Sequence, residues 1–216
     1  MKNSILAVII ITVLTSCSGK EKGWRQLFNG RDLTGWEQIG PGKFEVEDGL
    51  LKTVGGMGML LYPSEKFGDV TIRVVYKVED NDCNSGVFIR IPEIPSDEWY
   101  AVNRGYEVQI DHGTRHVGGE YHCTGVLYSL TKAMAYPQKE PGEWNTMEIT
   151  LDGPRTIVVV NDEMVTDYTE GDPVPPKSRD YEPDRGPRPL SGYIGLQNHD
   201  SLSTVYFREV AVKSLK

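Results

Sequence analysis

Short runs of alternating or continuous apolar residues recur along the chain, and no stretch shows an amphipathic pattern of helical length. These runs lie at residues 43–51, 70–78, 85–91, 106–111, 125–130, 145–151, 156–160, 193–197 and 204–213. Their length and composition are typical of β-strands. Turn-forming residues separate them, as in Glu47-Asp48-Gly49 and Asn161-Asp162. The pattern therefore predicts an all-β chain folded as a sandwich of two antiparallel sheets.

One segment, residues 170–189, departs from this rhythm because six of its twenty residues are proline. It is too polar and too rich in proline for a core strand, so we expect a long surface loop. Two interpretations of the loop are open. It is either a disordered insertion or an ordered loop along the rim of a cleft, as the aromatic Tyr181 and the mixed charges suggest.

The N-terminus has the pattern of a removable export signal. Residues 5–14 form an apolar stretch of about ten residues, which is the length of a signal-peptide core. A span of the bilayer needs about twenty residues. The sequence Leu14-Thr15-Ser16-Cys17 resembles the bacterial lipobox, in which the cysteine receives the lipid. We therefore expect residues 1–16 to be removed and Cys17 to be lipidated.

The lipid on Cys17 would attach the protein to a membrane. Residues 17–23 are expected to form a short tether, and a single domain is expected over residues 24–216. Because Ser18 is not aspartate, the resemblance to lipoproteins implies sorting to the outer membrane, facing the periplasm, with display at the cell surface left open.

Removal of the signal takes away Lys2 and no acidic residue, leaving 22 basic and 31 acidic residues and a formal charge of −9. Such a charge makes nucleic acid a poor partner. Lipidation of Cys17 leaves Cys83 and Cys123, and an oxidising compartment permits a disulfide between them. The alternative is two buried thiols too far apart to be bridged.

The run at residues 106–111 carries a polar row. Because successive side chains of a strand point to opposite faces, Glu107, Gln109 and Asp111 share one face, while the apolar residues between them share the other. Two acids flanking an amide favour a binding or catalytic site over a solvent-facing surface.

The neighbouring run at residues 84–90 alternates in the same way, which sends Asn84 and Arg90 to one face. Arg90 is then expected to face a carboxylate of the next strand. Its role is either a structural ion pair or a contact with substrate, and the two do not exclude each other.

Histidines add two hypotheses. Near the C-terminus, Gln197 and His199 share one face, and a histidine can exchange protons near neutral pH. A structural, hydrogen-bonded role is the alternative for His199. A divalent metal site is the second hypothesis, although no fixed ligand spacing supports it. It would draw on residues that are close in sequence, namely Asp111, His112, His116, Glu120 and His122.

The start of the domain, Leu27-Phe28-Asn29-Gly30-Arg31-Asp32-Leu33-Thr34-Gly35-Trp36, resembles the opening motif of the 3-keto-disaccharide hydrolase family. Further motifs follow in the family's order: Asn84 to Arg90, Gly105 to Asp111, Thr124 to Tyr128, Glu143-Trp144-Asn145, Gly195 to His199 and Val205 to Arg208. The resemblance covers essentially the whole mature domain and identifies the chain as a member of the family.

The resemblance implies a concanavalin A-like jelly-roll sandwich with a sugar site on its concave face. It also implies action on 3-keto-glucosides that a separate glucoside 3-dehydrogenase supplies. The C3 ketone of such a sugar acidifies the proton at C2, so a base can remove it and the C1 substituent can leave. Addition of water then completes a net hydrolysis.

Under this hypothesis Glu107 or His199 is the base, and Arg90 and Gln197 stabilise negative charge on oxygen. Asp111 or Tyr128 orients the sugar, and a divalent cation is an alternative to the arginine. The expected site therefore comprises catalytic Glu107, His199 and Asp111, with substrate-binding Asn84, Arg90, Gln109, Tyr128 and Gln197.

Two rival functions stay open on the same fold. A laminarinase-like retaining glycosidase also places acids on one strand. The Cα atoms of Glu107 and Asp111, however, should lie about 13 Å apart at about 3.3 Å per residue, whereas retention needs carboxyl groups about 5 Å apart. A non-catalytic carbohydrate-binding module would instead bind sugar on aromatic side chains, for which Trp99, Tyr100 and Tyr106 are candidates.

Overall fold

The computed structural model describes residues 22–113 and 119–216. The expected signal peptide, Cys17 and the expected tether up to residue 21 lie outside the described residues, as does His116. Within the described part of the chain, no helix is long and apolar enough to cross a membrane.

Two antiparallel sheets and one short helix make up the domain. The larger sheet contains β1 (Arg25–Gln26), β3 (Lys43–Glu47), β4 (Leu50–Val54), β6 (Val70–Val78), β9 (Asn145–Asp152), β10 (Arg155–Val160), β11 (Glu163–Thr169) and β13 (Val205–Ser214). The smaller sheet contains β2 (Glu37–Ile39), β5 (Gly58–Phe67), β7 (Asn84–Ile91), β8 (Tyr106–Asp111) and β12 (Gly192–Asn198). Helix α1 (Glu98–Arg104) connects β7 to β8.

The larger sheet has the order β11-β10-β9-β6-β13-β4-β3, with β1 paired to β13, and the smaller sheet has the order β2-β5-β12-β7-β8. The main core lies between them: Val87 and Ile89 of β7 and Val108 and Ile110 of β8 are fully buried there. The predicted sandwich of two antiparallel sheets is confirmed.

Three local expectations differ from the structure. Residues 43–51 form not one strand but the first part of a β3–β4 hairpin, whose turn has positive φ at Asp48 and Gly49. Residues 125–130 form turns with a single bridge from Leu127 to Val108, because Gly125 has a φ of 90° that breaks an extended strand. Helix α1 was not predicted, since seven residues are too few to show a helical period.

The expected disulfide is not formed, since Cys83 and Cys123 are both free and buried. Each thiol has its own acceptor. The Cys83 Sγ donates to Asp80 Oδ1 at 3.3 Å, and the Cys123 Sγ lies 4.0 Å from the Glu120 carbonyl oxygen. Burial raises the pKa of the Cys83 thiol and raises the pKa of Cys123 to about 11, so both stay protonated at neutral pH.

The proline-rich segment is an ordered loop that buried charged groups hold in place. Near its start, the Glu170 carboxylate accepts a hydrogen bond from the Tyr106 hydroxyl at 2.9 Å. In its middle, the buried Glu182 accepts from Arg185 at 2.8 Å. Near its end, the buried Arg188 donates to the Gly105 carbonyl oxygen at 2.9 Å. These contacts favour the interpretation of the loop as an ordered wall.

A bulge in β7 changes the direction of Arg90. Phe88 pairs with Gly195 and Ile91 pairs with Tyr193, so two residues of β7 lie opposite one residue of β12. Arg90 itself has a φ of 54°, in the left-handed region that side chains rarely adopt. The alternation that holds up to Phe88 therefore ends before Arg90.

The Arg90 side chain is consequently fully buried and reaches the larger sheet. Its guanidinium donates to the carbonyl oxygens of Gly153 at 2.8 Å, Pro189 at 3.0 Å and Arg155 at 3.3 Å. The expected contact of Arg90 with a carboxylate or a substrate is wrong. Its role is structural, because it ties the β9–β10 turn and the end of the long loop to β7.

Replacement of Arg90 by methionine should lower the free energy of unfolding by about 3 kcal/mol, because it leaves buried carbonyl oxygens without donors. Urea unfolding followed by fluorescence measures this change. Arg25→Met is the matched control, since Arg25 is exposed, pairs with the exposed Glu65 and lies over the Phe67 ring at 5.8 Å; it should cost less than about 1 kcal/mol. Equal stability of the Arg90 variant and the wild type would contradict the structural role.

Candidate active site

An open cavity of about 580 Å³ lies on the outer face of the smaller sheet, on the side away from the main core. Its size is within the range of about 300 to 1,000 Å³ that small-molecule sites occupy. Strands β7, β8 and β12 supply the polar side chains that line it: Asn84, Glu107, Gln109, Asp111 and Gln197. The polar row predicted on β8 thus lines a cavity.

Side chains outside the three strands line the rest of the cavity. Trp99 and Val102 come from α1, and His199 follows β12 directly. His122 and Tyr128 come from the turns after β8, where their rings meet edge to face at 5.3 Å between centroids. Arg179 and Tyr181 come from the long loop. The structure therefore brings together every residue of the expected site except Arg90.

Two amide side chains that line the cavity have acceptor atoms without a hydrogen-bond partner in the described part of the chain. The Nε2 of Gln109 donates to Asn84 Oδ1 at 3.2 Å, and the Nδ2 of Asn84 lies 3.4 Å from Asp111 Oδ2. This chain fixes which way the amides point. The Oε1 atoms of Gln109 and Gln197 are buried and have no hydrogen-bond partner in the described part of the chain. Buried acceptors of this kind are suited to the hydroxyl groups of a sugar.

Glu107 is a buried carboxyl group at the cavity, with 6% of its surface exposed. Burial raises its pKa to about 8, the charge of Asp111 acts in the same direction, and a hydrogen bond from Gln197 partly opposes them. Gly86 on the adjacent strand makes the space, since a Cβ there would lie 2.7 Å from the Glu107 Cγ. Glu107 is therefore mainly protonated at neutral pH and can act as a proton donor.

Tyr128 supplies a second donor beside Glu107. Its backbone N–H donates to the Glu107 carbonyl oxygen at 2.9 Å, which holds the turns after β8 against that strand. Burial, followed by the nearby carboxyl group of Glu107, raises the pKa of Tyr128 to about 12. The phenol therefore keeps its proton and can donate it in a hydrogen bond.

His199 lies at the exposed edge of the cavity and is held by Asp200, which was not among the predicted site residues. Its Nδ1 is 2.7 Å from Asp200 Oδ2, while Asp200 Oδ1 accepts from the backbone N–H groups of Leu202 and Ser203. Burial opposes ionisation of Asp200, but these hydrogen bonds hold its pKa below the usual range. An Nδ1–H donated to Asp200 leaves Nε2 as the basic nitrogen. The sequence indicates Asp200 only through its position directly after His199, where its side chain begins an Asx turn.

The described residues do not support the metal hypothesis. His112 is buried away from the cavity, with its Nε2 3.9 Å from Glu140 Oε2, whereas His122 lies on the cavity wall. Within residues 22–113 and 119–216, no three His, Cys, Asp or Glu side chains are arranged to hold a metal ion. His116, the remaining candidate metal ligand, lies outside the described residues.

The fold and the site define a β-sandwich with a polar cleft on the outer face of one sheet. Residues 23–213 match the family described as the 3-keto-alpha-glucoside-1,2-lyase-like domain. The chain belongs to this family, as its motifs indicated. No curated protein matches the chain at a significant level.

Solved structures share the fold. A candidate glycosyl hydrolase from Parabacteroides distasonis ATCC 8503 has a TM-score of 0.71 at 24% identity, over 90% of this chain and 94% of its own. A Bacillus subtilis protein of unknown function with a galectin-like fold has a TM-score of 0.65 at 13% identity, over 88% of this chain and 94% of its own. The Bacillus subtilis carbohydrate binding module CBM66 has a TM-score of 0.54 at 17% identity, over 83% and 96%. These likenesses confirm the predicted jelly-roll sandwich.

Replacement of Glu107 by glutamine should change how stability depends on pH. The folded pKa of about 8 lies above the ordinary glutamate value of 4.5, so the folded protein binds more protons than the unfolded chain between these values. The contribution of Glu107 to the free energy of unfolding is complete below its unfolded pKa and is lost as the pH rises through its folded pKa. Glutamine does not ionise, so the variant should gain a few kcal/mol relative to wild type between pH 5 and pH 9.

Urea unfolding at both pH values measures this difference. The matched control is Glu163→Gln, since Glu163 is exposed at the start of β11; its difference from wild type should not change with pH. A Glu107 variant with the same pH dependence as wild type would show that the carboxyl group is ionised at neutral pH.

Proposed function

We propose that this protein is an enzyme that cleaves 3-keto-glucosides by elimination across C1 and C2, followed by addition of water. The observation that carries the proposal is one cleft with a protonated carboxyl group, Glu107, and a histidine, His199, that a carboxylate orients. Membership of a 3-keto-alpha-glucoside-1,2-lyase-like family supports a carbohydrate-active enzyme with this substrate.

In the elimination, His199 Nε2 takes the proton from C2, and the electron pair of that bond delocalises onto the C3 ketone oxygen as an enolate. The C1–O bond then breaks, a C1=C2 double bond forms, and Glu107 gives its proton to the departing oxygen. The products are an unsaturated 3-keto sugar and a free alcohol. Water added across the double bond gives 3-keto-glucose, so the sum of the steps is hydrolysis.

A neutral donor, the Tyr128 hydroxyl, takes the role in stabilising the enolate that was expected of Arg90. Tyr128 is protonated, lines the cavity and lies beside Glu107, so its hydroxyl is the donor for the developing charge on the ketone oxygen. The free acceptors of Gln109 and Gln197 bind the sugar hydroxyl groups, while Asn84 and Asp111 hold Gln109 in its orientation.

Two observations favour this proposal over the rival functions, a retaining glycosidase and a carbohydrate-binding module. A retaining glycosidase needs an ionised carboxylate close to a protonated one, and here Glu107 and Asp111 are separated on one strand by Gln109. A non-catalytic binding module is supported by the likeness to a carbohydrate binding module. A binding module does not need a buried carboxyl group with a pKa near 8. Such a group is costly to bury in a cleft.

Incubation with a 3-keto-glucoside and with its unoxidised parent separates the three functions. The proposal predicts release of the C1 substituent from the keto sugar alone, measured by chromatography. The variants Glu107→Gln and His199→Ala should each lower kcat/KM by about 10² to 10⁴, while Tyr136→Phe, at an exposed residue outside the cavity, should not change it. Cleavage of the parent would indicate a glycosidase, and binding without cleavage of either sugar would indicate a binding module.

We also propose that Cys17 anchors the protein in the outer membrane after removal of residues 1–16. A lipid anchor would keep the enzyme outside the cytoplasm, close to imported glycosides and to the dehydrogenase that makes the ketone. Mass spectrometry of the N-terminal peptide from the membrane fraction should find Cys17 as a diacylated first residue. Recovery of an unmodified Cys17 or a different N-terminus would contradict the anchor, and Cys17→Ser should move the protein into the soluble fraction.

A further inference from the structure

We propose that the outer face of the larger sheet docks on anionic phospholipid headgroups of the membrane that holds the lipid on Cys17. The inference rests on the proposed anchor at Cys17 and does not depend on the proposed reaction. It gives the domain one orientation, in which the sheet opposite the cavity lies against the bilayer and the cavity opens away from it.

Cations are concentrated on the outer face of the larger sheet. The charged side chains of its adjacent strands β6, β13 and β4 lie outside the main core, which the alternating apolar residues of the same strands fill. These strands carry five cations and one acid, namely Lys52, Arg73, Lys77, Arg208, Lys213 and Glu209. The chain as a whole has a formal net charge of −8, so the charge on these strands has the opposite sign to that of the chain.

Three of these cations are not balanced by a carboxylate. Two of the five are balanced, since Lys52 pairs with Glu47 at 2.7 Å and Arg73 pairs with Glu209 at 2.6 Å. The other three form no ion pair with any residue that the structure describes: Lys77, Arg208 and Lys213. Their charge is therefore available to the phosphate groups of a lipid surface.

Aromatic side chains lie between the cations. Tyr206 on β13 lies opposite both Lys77 and Lys52, whose Nζ atoms are 4.8 Å and 5.6 Å from its ring centroid. The ring centroid of Trp144, directly before β9, is 5.3 Å from Lys77 Nζ and 4.5 Å from the guanidinium carbon of Arg208. Tryptophan and tyrosine are enriched where a membrane meets water, and basic side chains bind anionic headgroups. The combination favours a lipid surface as the partner.

The tether reaches the domain on this same face. Trp24 packs against Arg73, whose guanidinium carbon is 4.1 Å from a ring centroid of Trp24, and Lys213 Nζ is 6.0 Å from the same ring. The five peptide units from Cys17 to Lys22 can span at most about 18 Å, whereas a domain of this length has a diameter of about 40 Å. A lipid on Cys17 would therefore keep the outer face of the larger sheet closer to the bilayer than the cavity.

Docking of this face leaves the cavity accessible to dissolved glycosides. The cavity lies on the outer face of the smaller sheet, and the main core separates the two sheets. A domain held by a tether alone could bring several faces to the membrane in turn. Each unpaired cation near an anionic surface strengthens binding about fivefold, so three on one face favour a single orientation.

Lysine acetylation read by mass spectrometry tests which face meets the membrane. The lipidated protein is placed on vesicles of phosphatidylcholine alone and on vesicles that also contain about 30% phosphatidylglycerol. Lys77 and Lys213 should react at least about threefold more slowly on the anionic vesicles, and NaCl should remove this protection. Lys132 and Lys177 are internal controls that should react equally on both, since they lie in the turns after β8 and in the long loop, which line the cavity.

Removal of charge tests the same surface by mutation. The double variant Lys77→Gln with Arg208→Gln removes two unpaired cations and should lose most of the protection of Lys213 on the anionic vesicles. The matched control, Lys132→Gln with Lys177→Gln, removes the same charge from the cavity side and should keep the protection. Circular dichroism checks that both variants are folded. If the first is not, the comparison of the two vesicles with the wild type still decides.

Equal acetylation of Lys77 and Lys213 on both vesicles would overturn the proposal, and so would protection of the two control lysines. Slower acetylation of Lys77 and Lys213 in detergent as the protein concentration rises would also overturn it, since a second copy of the chain would then cover the face. If the purified protein carries no lipid at Cys17, the anchor fails, and co-sedimentation with the same vesicles still tests the face. That protein should bind the anionic vesicles, and Lys77→Gln with Arg208→Gln should weaken binding about tenfold; absence of binding by the wild type would contradict the inference.

Discussion

The alternation of side chains along β8 is the constraint on which the rest of the structure depends. Its residues serve two environments at once, because Tyr106, Val108 and Ile110 pack in the core while Glu107, Gln109 and Asp111 line the cavity. The strand cannot shift by one residue without exchanging these two sets. Core packing between the sheets therefore also fixes the position of the polar groups on the outer face.

Burial on that outer face changes the protonation of the polar groups and so determines their chemical roles. A carboxyl group on an exposed strand would be ionised at neutral pH, but Glu107 is buried at a cavity that α1, the turns after β8 and the long loop also line, and burial raises its pKa to about 8. His199 keeps its exposure and gains the Asp200 carboxylate. The two groups thus differ in environment, and this difference separates the proton donor from the base.

The sequence allowed prediction of those parts of the site that depend on regular strands. The polar row of β8, Asn84 on β7 and Gln197 on β12 follow from a period of two, which the structure keeps. Arg90 could not be placed in this way, because a bulge between Phe88 and Ile91 ends the alternation. The contributions of Asp200, Arg179 and Tyr181 depend on turns and on the path of a long loop, which no periodic pattern encodes. The same limit applies to Cys83 and Cys123, whose separation is set by the whole fold.

The assignment of His199 as base and Glu107 as acid is the central claim, and exchange of the C2 proton tests it most directly. The 3-keto form of methyl α-glucoside is incubated in D₂O, and loss of the C2 proton signal is followed by NMR together with release of methanol. The account predicts that Glu107→Gln still exchanges the C2 proton but releases little methanol, and that His199→Ala does neither. Exchange by His199→Ala at the wild-type rate, or loss of exchange in Glu107→Gln alone, would contradict it.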